Sequence, residues 1–293
     1  MEQAKVPQSA RQFLAIAQQD LKAARCLYRE GCYPQAIFYL EQSVEKGLKS
    51  YSIASGIIDE KEAWREISHK TFKIYEKTTK IFKQRVVDAQ ENLKKIPNLE
   101  AFFRQRMSFP ETIEQLDDTL EQIRLLSKHD EKALYLTKEE LKKNIKTLQD
   151  LNREAKRDKA KARSKPITPS EFRASKRFII DMLEAALADQ PERLHQEKEE
   201  INRKFTFDTY EKLMKDVLSQ FIPPVELFQS FFQISIILQP HAIARYPDSN
   251  FNPVEFYTPD LPLIESFVKL ADITERALNQ VDELYQKSEG SSS

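Results

Sequence analysis

The 293 residues carry 46 basic and 46 acidic side chains, a formal net charge of zero, with 40% hydrophobic and 31% charged content. That balance describes a globular chain with a heavily charged surface. It excludes a global electrostatic pull on nucleic acid or membrane, so any such binding needs a local patch.

Residues 9–30 have helical period, with Phe13, Ala17, Leu21, Ala24 and Leu27 on one apolar stripe. Gly31 stops that helix, and Pro34 suits the first turn of the next, which runs to Gly56. Ala36, Leu40, Ser43 and Gly47 are small or modest residues at helical spacing, which predicts close approach of these two helices as an antiparallel hairpin. A glycine inside a helix costs roughly 1 kcal/mol against alanine, so close packing is the reading for Gly47. A third helix is predicted from about Lys61 through His69 to Pro97.

The pattern changes from 98 to 221. Helices here are charge-rich with narrow apolar stripes, which predicts an elongated helical arm rather than a thick core. Its most basic stretch, REAKRDKAKARSK at 153–165, has seven Lys/Arg, two acids and no large apolar residue. From 222 the core character returns in PPVELFQSFFQISIILQP, where Phe228, Phe231, Phe232 and Ile236 read as buried. A last amphipathic helix ends near 287, and 288–293 form a loose tail. The expected fold is all-α: an up-and-down antiparallel helical bundle built from 1–97 and 222–287, with the charged arm of 98–221 inserted.

The four glycines cannot supply a G-x-G-x-x-G or P-loop phosphate cradle. Two cysteines, Cys26 and Cys32, and four scattered histidines predict no metal site. The first residues lack an apolar signal core, and no apolar run is long enough for a bilayer. The expectation is a cytoplasmic protein with no cofactor and no membrane partner.

The two ends of the chain resemble the HEPN family (higher eukaryotes and prokaryotes nucleotide-binding). The first hairpin carries the likeness through Asp20, Leu21, Ala24, Gly31, Tyr33, Ala36, Gln42, Val44, Glu45, Lys46, Leu48 and Lys49. His69 fits the histidine that opens the third helix, and ARYPD at 244–248 fits the turn before the last helix. The resemblance covers roughly 1–85 and 222–287. It implies a helical bundle, usually a homodimer. It also implies roles as metal-independent ribonucleases, as RNA- or nucleotide-binding modules, or as partners of nucleotidyltransferases in toxin–antitoxin pairs.

Candidate sites follow from residue type and spacing. The nuclease branch of the family uses an arginine and a histidine with four to six residues between them. The imidazole moves a proton of the ribose hydroxyl, and the guanidinium stabilises phosphorane charge. Arg65 and His69 are separated by only three residues and miss that spacing; Arg124 and His129, separated by four, meet it inside the charged segment. Lys46 and Lys49, on one side of the second helix, could floor a phosphate or carboxylate site with His69 at its mouth. His241, Arg245, Tyr246 and Asp248 form the densest polar group, with Arg245 placed to fork onto an anion or onto Asp248. Arg153, Lys156, Arg157, Lys159, Lys161, Arg163 and Lys165 could contact nucleic-acid backbone, without aromatic residues for base stacking. The expected function is a non-catalytic HEPN-like binding or interaction protein for a nucleotide, RNA or protein partner; the alternatives are a metal-independent endoribonuclease and a nucleotidyltransferase regulator.

Overall fold

The computed structural model describes residues 6–105, 108–128, 134–164, 167–243, 246–247 and 251–290, and their side chains except at 97, 151–152, 154–164, 216–225, 243 and 288–290. Among these residues there are helices and turns and no strand. The chain divides into two compact units: one of 1–78, 122–154 and 224–293, the other of 79–121 and 155–223.

In the first unit, α1 (Gln8–Arg29) and α2 (Tyr33–Ala54) form the expected antiparallel hairpin. The stripe Ala10, Phe13, Leu14, Ala17, Leu21 and Ala24 is buried. The turn is a Schellman closure: Cys32 N–H donates to Leu27 C=O at 2.9 Å and Gly31 N–H to Tyr28 C=O at 3.1 Å. Gly31 takes φ +76°, a region closed to most side chains. Ser43 Oγ donates to Ala17 C=O at 2.8 Å and Ser50 Oγ to Ala10 C=O at 2.6 Å, so small hydroxyl residues bring α2 against α1. Gly47 points elsewhere, toward Phe231 and Leu278.

The predicted third helix is interrupted. Asp59 caps a single turn, α3 (Glu60–Glu62), by a capping box with Glu62, and a π-helical turn Ala63–Ile67 follows. Ser68 then adopts φ +44°, and α4 (Phe72–Lys94) starts afresh. The break coincides with two bonds from α2, Lys49 Nζ to the Ser68 carbonyl and Glu45 to His69. A continuous helix would keep that carbonyl for its own ladder.

Next come α5 (Pro97–Arg104), α6 (Phe109–Ser127), α7 (Lys138–Ser164), α8 (Pro169–Ala186), α9 (Pro191–Lys204) and α10 (Phe207–Leu238). α10 runs through Pro223 and Pro224, so no element boundary falls at 222. A 3₁₀ turn at Gln239–Ile243, the short α11 (Pro253–Phe256) and α12 (Pro262–Glu265), and α13 (Phe267–Gly290) close the chain.

The core of the first unit surrounds α2, which is buried along most of its length and packs against α1, α11, α13 and the 3₁₀ turn. Of the four residues read as buried near 230, Phe231 is fully covered, while Phe228, Phe232 and Ile236 are half-buried and pack on the core from its side. Leu141, Ile145 and Leu148 of α7 are buried in this same core, although their segment was expected in the arm. The second unit is thin by comparison. Its aromatic clusters are Phe102 and Phe103 against Phe178, and Phe172 among Phe205, Phe207 and Tyr210. Among its described side chains only Leu120 and Tyr210 are buried apolar residues.

Candidate functional site

A helix buried on most sides is normally apolar, yet α2 carries E-Q-S-V-E-K-G-L-K from Glu41 to Lys49. Buried charge is tolerated only when paired and hydrogen-bonded, and the structure meets that condition with one network. Lys49 Nζ donates to Glu45 Oε1 at 2.6 Å and to the Ser68 carbonyl at 2.5 Å. Gln42 Nε2 bridges the two acids, at 2.9 Å from Glu41 Oε2 and 3.1 Å from Glu45 Oε2. His69 Nδ1 lies 2.9 Å from Glu45 Oε2. Lys46 pairs with Asp20 of α1 and donates to Gln42 Oε1 at 3.3 Å.

Glu41 sits at the dry end of this network. Burial, then the neighbouring Glu45 charge, raises its carboxyl to about 8, against the opposing pull of Gln42, Lys46 and Lys49. His69 sits at the wet end. Its side chain is 60% exposed while Glu45 is 3% exposed, so a buried carboxylate holds an open imidazole by one nitrogen. With Nδ1–H on the carboxylate, Nε2 is left as an acceptor. Trp64, 68% exposed, stands on the adjoining π turn with its ring 5.3 Å from Phe13.

Three of the residues singled out by sequence therefore come together: Lys46, Lys49 and His69. The two lysines face carboxylates instead of forming a bare cationic floor. Glu41, Gln42, Glu45 and Asp20 belong to the same network and were missed as site residues. The available signal was the pair Glu41 and Glu45 at i,i+4 on a helix of otherwise apolar faces.

The group around the ARYPD turn divides. His241 is 1% exposed and shares a 2.9 Å hydrogen bond with the Tyr257 hydroxyl. Burial lowers its imidazole to about 3 and raises the Tyr257 phenol, so His241 is a neutral core side chain rather than a group presented to a ligand. Tyr246 is exposed, and Arg245 and Asp248 lie outside the described residues. Arg124 makes an ion pair with Glu76 at 3.6 Å, and His129 lies outside the described residues. Arg153 is exposed beside Asp150 at 3.5 Å. Lys156, Arg157, Lys159, Lys161 and Arg163 follow on α7, with side chains outside the described set, as is Lys165.

Among the described residues no group of three or more His, Cys, Asp or Glu is arranged to hold a metal, and no helix is long and apolar enough to cross a membrane. Cys26 and Cys32 are free and exposed.

No curated protein and no solved structure matches the chain. Comparison with family models matches residues 10–164 to the HEPN domain, from α1 through the end of α7. The match extends past the hairpin into the segment that supplies Leu141, Ile145 and Leu148 to the core. The closing residues from 224 onward lie outside the match but pack in the same compact unit. Over half of its length, beginning with the hairpin that holds the buried polar network, the chain belongs to the HEPN domain family.

Proposed function

We propose that this chain is a non-catalytic HEPN module that binds a nucleotide, RNA or a protein partner rather than cutting RNA. Family membership gives the coarser statement, a nucleotide- or RNA-related role. The finer reading is supported by one observation: the polar side chains of the hairpin engage one another. Lys46 is held by Asp20, and Lys49 and His69 both by Glu45. Such a network fixes α2 against α1 and the Ser68 turn, and leaves ligand contact to other surfaces. A homodimer and a nucleotidyltransferase partner are the assemblies that the resemblance implies.

One observation favours a second reading, a metal-independent endoribonuclease. The imidazole of His69 is held through Nδ1 by Glu45 while its side chain is 60% exposed, an arrangement that suits a general acid or base. The test incubates the purified chain with labelled short RNA in chelator. The expected result is binding that weakens with salt and no cleavage. RNA cleavage that is lost in His69→Ala, or in His129→Ala, with the fold intact would replace the first reading by the second.

A further inference from the structure

The nucleotide reading leaves open where a phosphate would sit, and the network on α2 offers no unpaired cation. A second place does. α1 carries Gln18, Lys22, Arg25 and Arg29 at spacings of four, three and four, hence on one face. That face lines a groove of about 440 Å³ against α13, where Glu275, Leu278 and Asn279 complete the wall. Leu21 and Leu278, both buried, form an apolar floor.

Arg25 spans the groove. Its Nη2 donates to Asp272 at 2.9 Å and to Glu275 at 3.0 Å, while its Nε is buried with no protein acceptor. That Nε is out of reach of a ligand, so contact with an anion falls to the 27% exposed remainder of the Arg25 side chain and to its exposed neighbours. Lys22 and Arg29 are exposed and flank Arg25. Three cations thus stand against two carboxylates, and both carboxylates are engaged by a single nitrogen of Arg25. Lys22 to Arg29 spans about 10.5 Å of helix axis, long enough for more than one phosphate. Guanidinium forks favour phosphate oxygens. The volume lies in the range of small-ligand sites, and the leucine floor with the Gln18 and Asn279 amides suits a flat heterocycle.

We infer that the α1–α13 groove binds a nucleoside diphosphate or a closely similar phosphorylated small molecule, with Lys22, Arg25 and Arg29 on the phosphates. This rests on the nucleotide form of the proposed function. Cys26 lines the groove and is exposed, which supplies a reporter.

The experiment uses the full chain carrying Cys32→Ser, so that Cys26 is the only thiol. ADP binding is measured by calorimetry, and Cys26 alkylation is timed with and without ADP. The expected result is ADP binding, slower alkylation of Cys26 on saturation, and affinity about tenfold or more weaker in Lys22→Gln/Arg29→Gln with an unchanged melting curve. Unchanged ADP affinity in that double variant, or unprotected Cys26 with ADP bound, overturns the groove and leaves the nucleotide reading standing. RNA binding without ADP binding overturns the groove alone. If ADP, pyrophosphate and short RNA all fail to bind, the groove and the nucleotide or RNA reading fall together.

Discussion

Glu41 and His241 are both buried titratable residues of the first compact unit, and they respond to pH with opposite signs. The Glu41 carboxyl is raised from 4.5 to about 8, so between those values the folded chain holds more protons than the unfolded one. Stability is then lost as pH rises through that window. The His241 imidazole is lowered from 6.5 to about 3, so the folded chain holds fewer protons there, and stability is lost as pH falls. The two effects oppose each other between about 4.5 and 6.5, and only Glu41 acts above that range. Glu41→Gln is expected to flatten the fall in urea midpoint between about pH 6.5 and 8. His241→Gln is expected to flatten the fall below about pH 4.5, where Glu41 no longer opposes it. The slope is the readout; a slope unchanged in Glu41→Gln would mean that the carboxyl titrates normally. Sequence identified Lys46, Lys49 and His69 by type and spacing, but not their partners. Glu45 meets His69 only because the chain bends at Ser68, and a positive φ at a serine leaves no mark in residue pattern.

Single elements show where periodicity was enough and where it was not. The stripe on α1 and the Gly31–Pro34 turn were legible because an amphipathic face and a Schellman glycine are local properties. Gly47 was legible as a close approach, but not its partner. A Cβ added there would lie 2.5 Å from Leu278 Cδ2 and 3.1 Å from the Phe231 ring, on α13 and α10 rather than α1. Alanine gains about 1 kcal/mol of helix propensity over glycine, while overpacking a filled core costs about 1–3 kcal/mol. Gly47→Ala is therefore expected to lose about 1 kcal/mol net by chemical denaturation. A gain of that size instead would show that Leu278 can move aside. α7 teaches the converse. Leu141, Ile145 and Leu148 make a narrow stripe, which reads as an arm, yet all three are buried in the bundle core. A stripe's width reports how much of the helix is apolar, not how crowded the surface is that it meets.

At the scale of the molecule, the helical class was readable from the residue pattern. The compact bundle draws on three separate stretches, and its third partner is 122–154. Leu148→Ala tests that membership: truncating a buried leucine costs about 2–5 kcal/mol, against about 0.5 kcal/mol or less at a solvated position. The same bundle carries a consequence for synthesis. Arg25 meets Asp272, and Ser50 bonds the Tyr285 hydroxyl at 2.7 Å. The hairpin can form as soon as it emerges, but the cover for its apolar side arrives with α13, from Phe267 onward. At about 5–20 residues per second, translation from the end of α2 to α13 takes roughly 10–40 s. For that interval the nascent chain leaves open the α2 surface around Gly47 and Ser50 that Leu278 and Tyr285 later cover.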